Sequence, residues 1–134
     1  MENFKKNIEE KFHEMANLMV DTIQEPWDKI VFGFVRGGKY RTIGQLKHVL
    51  FTGDTEYKNL DNLYWGKDFY SECNYNLQTL SSEFYDLCKK DKHDWHEFAM
   101  HITNDGNFKV NFSYEKIKKS NPNYISEWIE KYVK

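Results

Sequence analysis

What this 134-residue chain lacks sets its first limits. It has only two cysteines and two prolines. Cys73 and Cys88 form no Cys-x-x-Cys motif and have no assignable histidine base, so neither reads as a metal ligand or nucleophile. Both fall in a stretch with helical spacing, where fifteen residues correspond to ~22 Å at 1.5 Å per residue. That is too far for a disulfide, and two reduced packing thiols are expected. No apolar run approaches the length of a membrane span, and residues 1–10 lack the apolar core of a signal peptide, so the expected location is the cytoplasm, with no membrane contact. A basic surplus is also missing. The formal net charge of -2 argues against a direct nucleic-acid binder, which needs cations to neutralise phosphates. Repeats, low-complexity tracts and a flexible linker are absent too, so residues 1–134 read as one domain.

What is abundant is aromatic side chains, 17% of the residues, alongside 30% charged residues. A chain of this length buries roughly two-thirds of the surface it exposes when unfolded, so its core leans on Phe, Tyr and Trp and needs no cofactor to hold it together. Charge is uneven. Residues 108–134 carry six Lys and three Glu, leaving 13 basic and 18 acidic side chains before them. The acidic part is the better meeting surface for a basic partner.

Residues 95–114 organise the reading. Phe98, Met100 and Ile102 alternate on one arm, and Phe108, Val110, Phe112 and Tyr114 on the other, with Asn104-Asp105-Gly106-Asn107 between them. This is a β-hairpin whose turn needs Gly106 at positive φ. It is expected to be the central pair of the sheet, with Trp95, Phe98, Phe108, Phe112 and Tyr114 in the core. Ala99, His101, Thr103, Lys109, Asn111 and Ser113 then form a wet face, and helices cover the apolar one.

Before the hairpin, Phe4, Ile8, Phe12, Met15, Leu18 or Met19, and Ile23 give the spacing of an amphipathic helix over residues 3–24, which Pro26 ends. Ile30 to Val35 read as a largely buried strand, Arg36-Gly37-Gly38-Lys39 as a turn, and Tyr40 to about Leu46 as a returning strand. His48 to Phe51 either continue it or form a third, and Gly44 is a candidate bulge. Residues 52–67 show no period and read as the main loop. Cys73, Leu77, Leu80, Phe84, Leu87 and Cys88 place a second helix from about Phe69 or Ser71 to Lys89 or Lys90. Ser120-Asn121-Pro122 opens a third, with Ile125, Trp128, Ile129 and Tyr132 as its stripe. The fold class is α+β: one domain, an antiparallel sheet of four to five strands packed with three helices, in the order α-β-β(-β)-α-β-β-α.

Candidate chemistry is sparse. His93, His96 and His101 suggest a metal, but the first two straddle a loop-to-strand junction and lack a third ligand, so a polar strand entry is preferred. The 36–39 turn lacks the phosphate-loop pattern and precedes a strand. Asp54, Glu56, Asp61 and Asp68 cannot be set opposite one another as an acid/base pair and read as a solvated loop. Beside them stand Tyr57, Tyr64, Trp65, Phe69 and Tyr70, more rings than one loop easily buries. Trp65 and Phe69 either fold back over the sheet or, like interface tyrosines and tryptophans, anchor a partner.

Two stretches carry a family resemblance. The helix from Met15-Ala16-Asn17 to Ile23-Gln24-Glu25-Pro26, leading through Trp27-Asp28-Lys29 into Ile30, resembles the helix-to-strand junction of the YezG-like antitoxin and immunity proteins. The strand opened by Trp95, the acid-Gly turn and the run Phe108 to Tyr114 resemble that family's second signature. Between Gln45 and Gly66 the chain departs from it, with no proline and a different spacing, and the second helix is less acidic. The resemblance implies a non-enzymatic immunity protein, without metal or cofactor. It would bind and neutralise a cognate toxin domain, a nuclease in many relatives, delivered in contact-dependent or LXG-type competition between bacteria.

A nuclease site is basic, so the expected toxin-binding set is the acidic, aromatic segment: Asp54, Glu56, Tyr57, Asp61, Tyr64, Trp65 and Asp68. The helix faces bearing Glu83 and Asp86, or Glu9, Glu10 and Glu14, are the next choices. A cytoplasmic secretion chaperone that escorts an effector without inhibiting it would show the same charge and rings, and a homodimer is compatible with the pattern.

Overall fold

The computed structural model describes residues 2–37, 42–90, 95–113 and 123–133. In chain order they form α1 (Glu2–Thr22), β1 (Trp27–Gly37), β2 (Thr42–Phe51), β3 (Lys58–Asn59), α2 (Leu60–Tyr64), α3 (Asp68–Lys90), β4 (Glu97–Thr103), β5 (Phe108–Ser113) and α4 (Tyr124–Tyr132). The strands make one antiparallel sheet in the order β3-β2-β1-β4-β5. The α+β class and the order of the main elements match the sequence reading, with the short α2 added.

Alternation along the strands sorts the side chains into two layers. Phe34 faces Phe98 on one side and Gln45 on the other, Phe32 faces Met100 and Lys47, and Ile30 faces Ile102 and Val49. This face lies under α1 and α3 and holds the main core, including Met15, Met19, Leu77, Phe84 and Trp95. The Phe98 ring stacks on Phe34 at 5.5 Å between centroids and meets Phe84 edge-on at 5.3 Å. Each such ring contributes about 1.5–3 kcal/mol by leaving water, and the offset and tilted contacts add to that.

The opposite face is not left wet. Val31, Val35, Leu46 and Ala99 form a second, smaller core with Trp128 and Tyr132 of α4. Gly33 makes room for it: a Cβ there would stand 1.9 Å from the Phe98 carbonyl oxygen and 2.6 Å from the Trp128 ring. A hairpin considered alone shows Ala99, His101, Thr103, Lys109, Asn111 and Ser113 on this side, whereas β1 brings the valines that α4 covers.

Other expectations are corrected. The hairpin is not the central pair, because β1 takes that place through its pairing with both β2 and β4. β2 is continuous to Phe51, and Gly44 pairs regularly with Val35. The irregularity lies instead between Trp27 and Lys29. At that bulge the Asp28 carbonyl accepts from the Asn104 N–H (3.2 Å) and its carboxylate from the Thr52 hydroxyl (3.1 Å), which ties the hairpin turn to the end of β2. Gly106 has φ of 90° as expected. Ile125 leaves the α4 stripe and is exposed. The side chain of Phe4, and residues Gly38, Lys39, Tyr40, His93, Tyr114, Ser120, Asn121 and Pro122, lie outside the described residues.

Candidate partner-binding surface

Residues 52–70 are more structured than their aperiodic sequence suggests. After β2 the chain turns at residues 52–54, makes the two-residue β3 on the edge of β2, and enters α2, where the Asn59 side chain accepts from the Asp61 N–H at 2.9 Å. Such a cap satisfies an otherwise orphan helix donor. The helix ends at Trp65, whose N–H donates to the Asp61 carbonyl at 3.2 Å. Gly66, with φ of 84°, then turns the backbone in the left-handed region that glycine tolerates. α3 starts at Asp68, where a carboxylate suits the helix dipole.

This geometry separates the seven expected contact residues. Asp54, Glu56 and Asp68 are exposed. Trp65 is 77% exposed, and Leu63 on the same short helix is 43% exposed; the indole does not fold back over the sheet. Phe69 does, half-buried against the main core. Tyr64 is only 6% exposed, its ring 5.3 Å from Phe69 and 5.8 Å from Tyr70. Tyr57 is half-buried against the α4 core. Asp61 is half-buried and accepts a hydrogen bond from the Tyr70 hydroxyl. Burial first, then this bond, pushes the Tyr70 phenol far up. Asp54, Glu56, Trp65 and Asp68 are thus the outward members, and Tyr64 and Asp61 chiefly hold α2 in place.

Sequence reasoning missed the polar group beneath. The buried Lys47 amine donates to Gln45 Oε1 at 2.8 Å and to Asn74 Oδ1, and lies 5.2 Å from the centre of the Tyr70 ring. Gln45 Nε2 donates to the Asn74 carbonyl at 2.9 Å and to Gln78 Oε1 at 3.1 Å. Burial lowers the Lys47 pKa, opposed by the Asp61 charge. These bonds join β2 to α3 directly under α2. The signal was present in the alternation, because Gln45 and Lys47 share the face of Val49 and Phe51 and therefore point toward the helix layer.

Between α2 and the end of α4 lies a groove of about 560 Å³, walled by Glu56, Tyr57, Asn59 and Asn62 on one side and by Ile129 and Val133 on the other, with His48 also lining it. The His48 ring is buried, 6.3 Å from Trp128, and its Nδ1 has no partner among the described residues. Burial lowers its pKa. His101, farther along the same sheet face, donates from Nε2 to the Tyr132 carbonyl at 2.9 Å.

Among the described residues no three His, Cys, Asp or Glu side chains gather as a metal-binding group. Nor is any helix there long and apolar enough to cross a membrane. A surface with an exposed indole and scattered carboxylates suits recognition of another macromolecule. The family model described as immunity protein YezG-like matches residues 8–133. No curated protein matches the chain.

Proposed function

The chain belongs to the YezG-like immunity protein family, and from that premise we propose that it binds a cognate toxin domain stoichiometrically and neutralises it in the cytoplasm. The target is a nuclease exchanged between competing bacteria. The observation that carries this reading is Trp65, held 77% exposed at the end of a capped helix. An exposed tryptophan is a common interface anchor, and the exposed carboxylates of Asp54, Glu56 and Asp68 supply the charge that would steer a basic, phosphate-handling surface toward it. The protein acts as an inhibitor, and none of its side chains is assigned a catalytic step.

Co-expression with a candidate toxin domain tests the proposal: with the cognate domain the chain restores growth and binds one to one. Binding without rescue would indicate an escort, and no binding would overturn the reading. Trp65→Ala is expected to weaken the complex by about 2 kcal/mol, or ~30-fold, without altering the fold. The triple variant Asp54→Asn, Glu56→Gln, Asp68→Asn should slow association about tenfold and flatten its salt dependence. Asp61 is kept out of this set because Tyr70 bonds to it.

A further inference from the structure

The groove beside Trp128 and α2 has a composition that the immunity reading does not explain by itself. Among the described residues Glu56 is its only carboxylate, and none of the described lysines or arginines lines it. Opposite stands the C-terminal end of α4, where Val133 caps the helix and which carries the negative end of the helix dipole, although the Ile129 and Tyr132 carbonyls already accept from the Val133 N–H and His101. Tyr57 supplies an aromatic ring, a surface that attracts cations. The His48 ring lines the groove, and its buried Nδ1 has no partner among the described residues. The carboxylate, the aromatic ring and the helix end each suit a cation. The acceptors are spread over separate places, the Glu56 carboxylate on the loop and the amide oxygens of Asn59 and Asn62 around the start of α2. A planar guanidinium with five N–H donors matches such a spread better than a compact ammonium does.

We infer that this groove receives an arginine side chain of the toxin, with the guanidinium against Glu56 and the asparagine amides, beside the α4 C-terminus, and its stem along Tyr57 and Val133. The inference rests on the immunity reading for the identity of the partner, but the groove's preference for a guanidinium is a property of this chain alone. Trp65 and the groove then form two ends of one contact, an apolar anchor outside and a charged plug inside.

The test uses the whole chain and three small probes: N-acetyl-arginine amide, its neutral isostere N-acetyl-citrulline amide, and N-acetyl-lysine amide. In amide-resolved NMR titrations the arginine probe should shift the signals of Glu56, Tyr57, Asn59, Asn62 and Val133, saturating in the millimolar range, as a single side chain should. Citrulline should shift them little, lysine at least threefold more weakly than arginine, and Glu56→Gln should weaken arginine binding at least fivefold. Shifts elsewhere, equal responses to citrulline or lysine, or an unchanged response in Glu56→Gln would overturn the inference. With the toxin domain, Glu56→Lys should cost at least 30-fold in affinity, because it places a cation where a cation must enter; an unchanged affinity would overturn it equally. Growth rescue by the wild-type chain is read separately. A groove that ignores arginine in a protein that still rescues growth therefore rejects only the groove, and a chain that fails to rescue yet binds the arginine probe rejects only the immunity reading.

Discussion

The two faces of the sheet are built on different terms. Under α1 and α3, Phe32, Phe34, Phe84, Trp95 and Phe98 form a continuous aromatic interior, where dispersion and loss of hydration act without direction. Under α4, a smaller apolar patch around Trp128 lies near two imidazoles, His48 and His101, whose Nδ1 atoms have no partner among the described residues. The first face is dense enough to determine the fold. The second keeps polar groups beside a groove, an arrangement that makes sense if that side also meets a partner. The contrast predicts a steep gradient in how much each face contributes to stability.

The largest effect should fall on the first face. Phe98 touches Phe12, Phe32, Phe34, Phe84, Trp95 and Phe112, so Phe98→Ala leaves a cavity that its neighbours cannot all collapse into. It should cost about 3–5 kcal/mol, a large share of the 5–15 kcal/mol typical of a domain, read as a lower urea midpoint. A cost under about 1 kcal/mol would remove the claim that this face dominates.

Gly33→Ala probes the junction of the two faces. The added methyl meets the Phe98 backbone carbonyl and the Trp128 ring, so β4 or α4 has to move, at an expected cost of about 1–3 kcal/mol. Combining it with Trp128→Ala should recover only part of that loss, because the carbonyl remains. Full recovery in the double variant would mean that α4 alone is crowded and that the two faces are energetically separate.

Much of the first face was legible in the sequence because its periods are long. Six apolar positions mark α1, another six mark α3, and two alternating arms mark the hairpin. α2 has five residues, too few for a period of 3.6 to register, and its stop at Trp65 depends on the turn at Gly66. The second face was misread because its apolar residues come from four separate elements, Val31 and Val35 on β1, Leu46 on β2, Ala99 on β4 and Trp128 on α4, and no local pattern links them. The division of the acidic segment into outward Trp65 and inward Tyr64 was equally invisible, since neighbouring positions at a helix end are distinguished only by what packs on them. Nothing in composition alone distinguishes an anchoring indole from a core one.

The next effect is pH-dependent and belongs to the second face. Burial lowers the His48 pKa below its ordinary value near 6.5, with Asp61 pulling weakly the other way. Between that lowered value and 6.5 the unfolded chain binds a proton that the folded chain refuses, so stability rises with pH in this window and is lost on acidification. One proton gives a slope of at most about 1.4 kcal/mol per pH unit. His48→Phe should flatten the stability profile below pH 6.5 relative to wild type, measured by urea denaturation at successive pH values. An identical slope in the variant would place the acid sensitivity on another group.

The smallest effect should come from a contact that looks prominent. Lys11 of α1 and Glu83 of α3 form a hydrogen-bonded ion pair across the two helices, and the bond raises the Lys11 pKa. If α1 were held to α3 by charge, breaking this pair would loosen the whole helix layer. The Glu83 side chain is 50% exposed, however, so water already stabilises its charge, and ordering two long side chains offsets most of the attraction. The apolar seam of Phe12, Met15, Leu77 and Phe84 is what excludes water between the helices. Glu83→Gln is therefore expected to cost less than about 0.5 kcal/mol and to become silent in molar salt. A loss above about 2 kcal/mol would show that the first face depends on directed charge after all, and the difference drawn between the two faces would then be one of degree.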